Sequence, residues 1–473
     1  MALMRPSASA CVSAVVALLS ACGGSSSPSA PVPAPTATPP AARPNLVLVV
    51  TDDLDVPTTL ELPRLPDLMA NRGLSFTRAY AAQPLCGPSR ASILTGQYTH
   101  NHGVSGNHPP EGGFPAFRRH ESSTLATWLR AAGYRTGLVG KYLNDYPLGA
   151  GDGYIPPGWD RWFGHLSALE DGRYFNYWVN DGGVVVRYGA QAEDYSPDVE
   201  ARRAVAFIRD AASRPEPIFL YLAPEAPHVP ALYAERHGAD FRYSLAPRVP
   251  SFNEDDVRDK PAWVRQIGFM TEAEIDKADK LQRFRLRSLR AVEDMVEAVI
   301  QALAETGRLE QTYIVFTSDN GLLMGQHRAV RLKGNPYEES IGIPLIVRGP
   351  GVPAGSTDAI ALTIDLVPTL LDLAGAPVPE SVDGRSLAPF LRGSPPASWR
   401  QDALIENHGP SYALRTTEWM YNHAGTEEYE LYDMRSDPYQ LRSLHRTADP
   451  ALLDSLRKRM ATLVGCRGAS CRS

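Results

Sequence analysis

The sequence predicts an α/β fold: a large, mostly parallel mixed sheet sandwiched by helices, with a smaller C-terminal α+β subdomain. Continuous apolar runs of strand length occur at residues 45–51, 218–223, 313–318 and 343–347, as in strands that are buried on both faces. Segments with helical periodicity lie at 123–132, 198–212, 277–306 and 365–374. Alternation of strands and helices is typical of a parallel sheet covered by helices.

The pattern changes after Pro377. Short strand-like runs follow at 403–406, 412–416 and 429–432, and a helical segment follows at 450–463. We therefore place the main domain at 44–376 and the subdomain, with a small antiparallel sheet and a helix, at 377–473.

The charge balance excludes nucleic acid as the main partner. The chain of 473 residues has 47 Lys and Arg against 53 Asp and Glu, a net charge of −6, whereas a phosphate backbone is bound by a basic face. At roughly 100–200 residues per domain, the length allows two to four domains, or one large domain with an appendage. Six of the basic residues are lysines, so each lysine in a motif is informative.

The first residues are typical of an exported protein. Arg5 precedes an apolar run at 11–21, which is too short to span a bilayer and fits a signal peptide. We predict a signal peptide over 1–21 and a periplasmic or cell-surface location. An oxidising compartment would allow Cys466 and Cys471 to pair, and two unpaired thiols are the alternative.

A lipid anchor is expected directly after the signal peptide. The segment Leu19-Ser-Ala-Cys22 resembles the bacterial lipobox, in which the cysteine becomes the lipidated first residue of the mature chain. The Ser/Pro/Ala-rich segment 22–43 would then tether the folded part to the outer membrane. An ordinary signal peptide with a chance cysteine at position 22 is the alternative.

Oxygen-bearing side chains follow two of the predicted strands. Asp52 and Asp53 come directly after the first strand, and Asp319 and Asn320 come after the strand that ends at Ser318. Ligands of such sheets bind at the carboxyl ends of the strands, and hard oxygen donors suit Ca²⁺ or Mg²⁺. Either pair alone would more often be a capped turn.

A third motif, Cys86-Gly-Pro-Ser-Arg90-Ala-Ser-Ile-Leu-Thr-Gly96, closely resembles the modification motif of sulfatases. The resemblance implies that a separate maturation enzyme oxidises Cys86 to formylglycine (3-oxoalanine). It also implies that the hydrated aldehyde, held on a divalent cation, attacks the sulfate ester. A buried structural thiol is the alternative for an isolated cysteine.

The resemblance extends from about Pro44 to Pro438 and implies an alkaline-phosphatase-like fold with one Ca²⁺ per chain, Mg²⁺ being possible. The implied metal ligands are Asp52, Asp53, Asp319, Asn320 and modified Cys86. The implied catalytic side chains are Arg90, which holds the nucleophile near the metal, Lys141 and Lys333, which bind sulfate, and His228, near the leaving-group oxygen.

One position departs from the pattern. Many sulfatases have His two residues after the first lysine, where this chain has Leu143. The surrounding Lys-Tyr-Leu-Asn-Asp-Tyr segment is similar to the branch that includes N-acetylglucosamine-6-sulfatases. Asn144 and His327, the latter in Met-Gly-Gln-His, are candidate substrate contacts.

The resemblance implies a sulfuric ester hydrolase acting on a sulfated carbohydrate, such as 6-O-sulfated N-acetylglucosamine, or on an aryl sulfate. Two alternatives remain open at the level of sequence. One is a hydrolase of phosphate or phosphonate esters on the same fold, and the other is a non-catalytic surface lipoprotein that binds sulfated glycans.

Overall fold

The computed structural model describes residues 43–169, 172–407, 411–424 and 428–472, together with the isolated residues 14 and 17. Its largest element is a mixed sheet of ten strands with helices on both faces, and a separate four-stranded antiparallel sheet lies near the C-terminus. The predicted α/β class and the small C-terminal sheet are confirmed. The domain boundary at 376 stays a prediction.

The strands and helices are as follows. The strands are β1 (Asn45–Thr51), β2 (Gly73–Tyr80), β3 (Arg135–Gly140), β4 (Arg161–His165), β5 (Trp178–Asp181), β6 (Val184–Arg187), β7 (Ile218–Ala223), β8 (Thr312–Ser318), β9 (Leu323–Met324), β10 (Val330–Leu332), β11 (Leu345–Arg348), β12 (Gly355–Leu362), β13 (Asp402–Glu406), β14 (Tyr412–Thr416), β15 (Trp419–His423) and β16 (Tyr429–Asp433). The helices are α1 (Val56–Leu60), α2 (Leu65–Leu68), α3 (Cys86–Thr95), α4 (Thr99–His102), α5 (Gly113–Phe117), α6 (Leu125–Ala131), α7 (Ser196–Ala211), α8 (Ala262–Arg265), α9 (Glu272–Glu305), α10 (Glu338–Ile341), α11 (Leu366–Leu373), α12 (Ala388–Leu391) and α13 (Pro450–Val464).

The large sheet has the order β12-β2-β11-β8-β1-β7-β3-β4-β5-β6. Its centre, β8-β1-β7-β3-β4, is parallel, so these strands end at one edge of the sheet. Thr51 pairs with Ser318, and Gly140 pairs with Ala223, which brings the ends of neighbouring strands level. This edge carries the candidate site.

The strand predicted at 343–347 forms β11, but it is antiparallel to both of its neighbours, β8 and β2. A parallel neighbour requires a crossover connection, usually a helix on the face of the sheet. The segment between β8 and β11 contains a small hairpin, β9-β10, and the short helix α10 instead.

Alternate residues of β1 face two different hydrophobic layers. Leu46, Leu48 and Val50 pack in the layer that contains residues of α3, α6 and α11, whereas Val47 and Val49 pack in the layer that contains α7 and α9. Helix α9 begins five residues before the predicted 277, because Thr271 and Glu274 form a capping box at its start.

The C-terminal sheet has the order β13-β14-β15-β16, of which β15 was missing from the prediction. Its inner face and α13 share a hydrophobic cluster with Tyr80 and Tyr98. Cys466 and Cys471 form a disulfide, the pairing that the sequence left open.

All of the predicted signal peptide except residues 14 and 17, the predicted lipidated Cys22 and most of the tether lie outside the described residues. Over the part of the chain that the structure does describe, none of the helices is both long enough and apolar enough to cross a membrane.

We expect Gly140→Ala to destabilise the fold and to displace the residue that follows it. Gly140 has φ +106°, and a Cβ there would lie 2.2 Å from the carbonyl oxygen of Ala223 on the neighbouring strand. The free energy of unfolding should fall by at least about 2 kcal/mol. Gly149→Ala is the control, because Gly149 also has positive φ (+78°) but open space around it. Equal midpoints of thermal unfolding for the two variants would contradict the expectation.

Candidate active site

Four neighbouring parallel strands place polar side chains at one edge of the sheet. Asp52 and Asp53 follow β1, Asp319 and Asn320 follow β8, and Lys141 follows β3. His228 lies in the turn that follows β7. The structure therefore brings together six of the residues that the sequence analysis selected.

Helix α3 adds Cys86 and Arg90. Cys86 is its first residue, and the whole helix is buried. The hydroxyl of Ser89 donates to the backbone carbonyl of Asp319 at 2.5 Å, and the backbone N–H of Gly87 donates to Asn107 Oδ1 at 2.8 Å. The first contact holds the start of the helix at the end of β8, and the second holds it to the loop that follows α4.

The Cys86 thiol lies among charged groups. It donates to Asp52 Oδ1 at 3.3 Å, and it accepts a hydrogen bond from Lys333 Nζ at 2.7 Å. Burial and the negative charge of Asp52 raise its pKa, although Lys141 and Lys333 act in the opposite direction. A thiol in this environment is protonated at neutral pH and is a poor nucleophile.

Asp52 is held by two cations. Lys141 Nζ contacts Asp52 Oδ2, and Arg90 Nη2 lies 3.5 Å from the same oxygen. Burial alone would raise the pKa of Asp52, but Lys141, His228 and Arg90 hold it well below its ordinary value. The carboxylate is therefore ionised.

Arg90 also pairs with Asp319, with 2.9 Å between Nε and Oδ2. Its Nη1 donates to the backbone carbonyl of Lys141 at 3.1 Å. The pKa of Asp319 is raised, because burial and the charge of Asp52 outweigh the attraction of Arg90.

Asp53 faces Lys333 and His228. Lys333 Nζ contacts Asp53 Oδ1, and His228 Nε2 lies 3.7 Å from Oδ2. His228 Nδ1 lies 2.7 Å from the backbone carbonyl of Val229, which can only accept, so Nδ1 carries a proton. Nε2 is therefore the ring atom that faces the site.

The donor set fits a hard divalent cation. Ligand atoms of Asp52, Asp53, Cys86 and Asp319 all lie within 4.8 Å of one another. Asn320 Nδ2 donates to Asp53 Oδ1 at 2.6 Å, whereas Asn320 Oδ1 is buried with no hydrogen-bond partner among the described residues. Carboxylate and amide oxygens are the ligands that Ca²⁺ and Mg²⁺ prefer.

Arg285, a buried residue of α9, also contacts the site, although it was not among the predicted site residues. Its Nη2 donates to the backbone carbonyl of Asp53 at 2.5 Å and to Asp55 Oδ2 at 2.6 Å. Asp53 has φ +67°, an uncommon conformation for a residue with a side chain, and Arg285 holds it there. An available signal was that Arg285 falls between Leu281 and Leu289 on the apolar face of the helix.

A second missed group supports His228. The backbone N–H of His228 donates to the Glu225 carbonyl at 2.8 Å, and the Glu225 carboxylate pairs with Arg173 and, at 3.3 Å, with His165. Burial lowers the pKa of His165, but Glu200 and Glu225 raise it to about 9. A charged His165 therefore holds the turn that carries His228.

The two predicted substrate contacts, His327 and Asn144, have different surroundings from the charged residues described above. His327 is buried, its Nδ1 lies 2.7 Å from Glu254 Oε2, and its ring stacks on Tyr337 with 3.9 Å between ring centroids. Asn144 Oδ1 is buried without a partner among the described residues. Leu143 is fully buried in the hydrophobic core, so it offers no polar contact to the nucleophile.

Two family models match the chain. The model described as "Sulfatase" matches residues 44–376, and the model described as "N-sulphoglucosamine sulphohydrolase, C-terminal" matches residues 328–464. The human N-acetylglucosamine-6-sulfatase is 36% identical over 482 residues, which cover 91% of this chain and 86% of that protein. The "Extracellular sulfatase SULF-1 homolog" of Drosophila melanogaster is 37% identical over 376 residues, 78% of this chain, and this chain spans only 33% of its length.

Solved structures share the fold. One, described as in complex with its substrate D-glucosamine-2-N,6-O-disulfate, superposes with a TM-score of 0.76 at 25% identity and covers 89% of this chain and 97% of that chain. A phosphonate monoester hydrolase from Silicibacter pomeroyi superposes with a TM-score of 0.71 at 25% identity, covering 89% of this chain and 94% of that chain.

We expect Asn320→Leu to weaken Ca²⁺ binding at least about tenfold, because it removes a buried amide oxygen that has no hydrogen-bond partner among the described residues. The measurement is the rise in the midpoint of thermal unfolding when Ca²⁺ is added to chelator-treated protein.

Asn422→Leu is the matched control. Asn422 is also buried, its Nδ2 also donates to a carboxylate (Glu430, 2.7 Å), and its Oδ1 also has no partner among the described residues. This control should lower the stability but keep the full response to Ca²⁺. A normal response in Asn320→Leu would remove Asn320 from the metal site.

Proposed function

The chain belongs to the sulfatase family, and from this premise we propose that it removes 6-O-sulfate groups from N-acetylglucosamine or related glucosamine units of sulfated carbohydrates. It is an enzyme that hydrolyses sulfate esters. The observation that carries the proposal is the position of Cys86 at the start of a buried helix, in contact with Asp52 and Lys333 and among ionised groups.

Residue 86 is the proposed nucleophile after oxidation to formylglycine by a maturation enzyme. The raised pKa of the Cys86 thiol supports this, because the unmodified side chain is a poor nucleophile. The hydrated aldehyde supplies a hydroxyl group in place of the thiol. Lys333 Nζ already lies within hydrogen-bond distance of the position of that group.

Asp52, Asp53, Asp319 and Asn320 would hold the divalent cation, which we propose to be Ca²⁺. When bound, it supplies positive charge that favours the ionised form of an oxygen nucleophile. Arg285 keeps Asp53 in its strained conformation, and Arg90 keeps Asp319 in place.

Lys141, Lys333 and Arg90 concentrate positive charge around the nucleophile. A sulfate group that loses its ester bond carries charge on its oxygens, and buried, preorganised cations stabilise such charge strongly. His228 Nε2 faces the same space and is the proposed donor of a proton to the departing alcohol oxygen. Glu225 and Tyr174 hold the His228 backbone for this role.

The proposed substrate derives from the relatives. The human relative at 36% identity is an N-acetylglucosamine-6-sulfatase, and the structure at TM-score 0.76 holds a 6-O-sulfated glucosamine. The proposed location is the outer membrane, reached through the signal peptide and lipidated Cys22. The relatives named extracellular sulfatases agree with export.

Phosphonate or phosphate ester hydrolysis is the second candidate, because a phosphonate monoester hydrolase shares the fold at 25% identity. The sulfatase match over 44–376 favours sulfate. The non-catalytic alternative would require an unmodified Cys86.

We expect formylglycine at residue 86 in protein purified from its native host, measured by mass spectrometry of the tryptic peptide 79–90. Cys86→Ala should lower kcat/KM for 6-O-sulfated N-acetylglucosamine by at least about 1,000-fold, because no nucleophile remains. Parallel assays with aryl sulfate, aryl phosphate and phosphonate esters should favour sulfate. A free thiol at residue 86, or a large preference for a phosphorus ester, would overturn the proposal.

We expect the effect of His228→Ala to depend on the leaving group. For 6-O-sulfated N-acetylglucosamine, whose alkoxide needs a proton, kcat/KM should fall by about 100- to 10,000-fold. For 4-nitrophenyl sulfate, whose phenolate leaves without one, the fall should be much smaller. His108→Ala is the control, because His108 is an exposed histidine that also pairs with an aspartate, Asp145. Equal losses on both substrates would exclude His228 as the proton donor.

A further inference from the structure

A cavity of about 760 Å³ lies beside the candidate active site. Val229 and Pro230, which directly follow His228, form one part of its wall. Val330 and Arg331, which lie three and two residues before Lys333, form another part. Two segments that carry proposed catalytic side chains therefore continue into the same cavity. Its volume falls within the range of ligand sites in proteins.

The cavity carries an excess of positive charge. Lys277, Arg328 and Arg331 line it, against one acidic residue, Glu274. The Glu274 carboxylate accepts hydrogen bonds from the backbone N–H and the hydroxyl of Thr271, both at 2.8 Å, at the start of α9. The acid is thus engaged in capping a helix.

The three cations outnumber the one carboxylate that lines the cavity. Arg328 donates to the backbone carbonyls of Glu254 and Asp255, at 2.7 and 2.8 Å, which fixes its guanidinium but leaves its net charge. Lys277 and Arg331 are exposed. Lys277 interacts electrostatically with Glu274, so the cavity keeps a net positive charge from Arg328 and Arg331. Such a cluster attracts anions.

The cavity also offers an aromatic face. Phe269 lines it with 56% of its surface exposed, and the guanidinium of Arg328 lies 5.3 Å from the ring centroid. An aromatic ring beside cations can contact both the apolar face of a sugar and its acidic substituent.

The backbone here is held in an uncommon conformation. His327, Arg328 and Arg331 have φ of +51°, +65° and +63°, although none is a glycine. Non-glycine residues in this region persist only where the surrounding structure holds them, and they cluster at functional sites.

We propose that this cavity is a subsite for a negatively charged saccharide unit, linked to the unit that carries the scissile sulfate. Lys277, Arg328 and Arg331 bind its carboxylate or sulfate group, and Phe269 contacts its ring. The proposal rests on the proposed function, since it assigns the neighbour of the sulfated glucosamine. It makes the enzyme selective for uronate-containing chains over chains in which the neighbour is a neutral sugar.

The test compares three substrates of the full-length, matured enzyme: 6-O-sulfated N-acetylglucosamine alone, the same unit linked to a uronate, and the same unit linked to galactose. For wild type, kcat/KM should be highest for the uronate-linked substrate. In the double variant Lys277→Gln/Arg331→Gln, the ratio of kcat/KM for the uronate-linked to the galactose-linked substrate should fall at least about fivefold, chiefly through KM.

Lys280→Gln is the matched control, because Lys280 is exposed on the same helix but lies over the Phe284 ring instead of lining the cavity. It should leave the ratio unchanged, and the wild-type preference for the uronate-linked substrate should weaken as salt is added. The subsite proposal would be wrong if the ratio of kcat/KM for the two linked substrates were unchanged in the double variant. It would also be wrong if the ratio fell equally in the Lys280→Gln control. If the wild type preferred the galactose-linked substrate, the proposal that the subsite binds a negatively charged saccharide unit would be wrong.

A binding experiment separates this proposal from the proposed function. A 6-O-sulfated, uronate-containing tetrasaccharide is titrated into the wild type, the double variant and the control by calorimetry, which requires no hydrolysis. If no glucosamine sulfate is hydrolysed but the tetrasaccharide binds wild type at least about fivefold more tightly than the double variant, the subsite stands and the proposed substrate fails. Equal affinity for all three proteins would overturn the subsite, whatever the enzyme hydrolyses.

Discussion

The structure depends on the burial of opposite charges at the carboxyl edge of the parallel sheet. The Asp52, Asp53 and Asp319 carboxylates are withdrawn from water, and each contacts at least one of Arg90, Lys141 and Lys333. Removing one partner of a buried pair leaves an uncompensated charge, which typically costs about 3–5 kcal/mol. The buried cluster is therefore stable only when all of its charged partners are present. The same low-polarity surroundings make its charges effective against a charged substrate group.

The order of the strands in the sheet brings these opposite charges together. Because β8, β1, β7 and β3 are neighbours and parallel, four separate connections begin side by side at one edge of the sheet. The antiparallel direction of β11 has a related consequence. The chain between β8 and β11 needs no crossover helix, so it stays at the site edge and supplies Asn320 and Lys333. The direction of one strand thus determines how much chain is available to build the wall of the site.

The sequence predicted the fold class and the members of the charged cluster for two different reasons. Strand-end residues such as Asp52 and Asp319 are visible from local pattern, because a buried strand must stop before a charge. Cys86 was selected by its motif. Arg285 and Glu225 were not predicted, since their partners are distant in sequence and are set by packing: Arg285 is 232 residues from the Asp53 carbonyl that it contacts. His327 was selected by motif, and its burial against Tyr337 could not have been foreseen from the chain alone.

The few lysines of the chain and its many arginines occupy different kinds of site. Arginine supplies most of the exposed ion pairs, where its planar, multiply donating group suits carboxylates. Lys141 and Lys333 each direct a compact charge at one carboxylate oxygen. Lys260 is also buried, and it pairs with Glu254, the carboxylate that holds His327. Three of the six lysines therefore pair with buried carboxylates. The proposed subsite, which is open to solvent, combines Lys277 with two arginines.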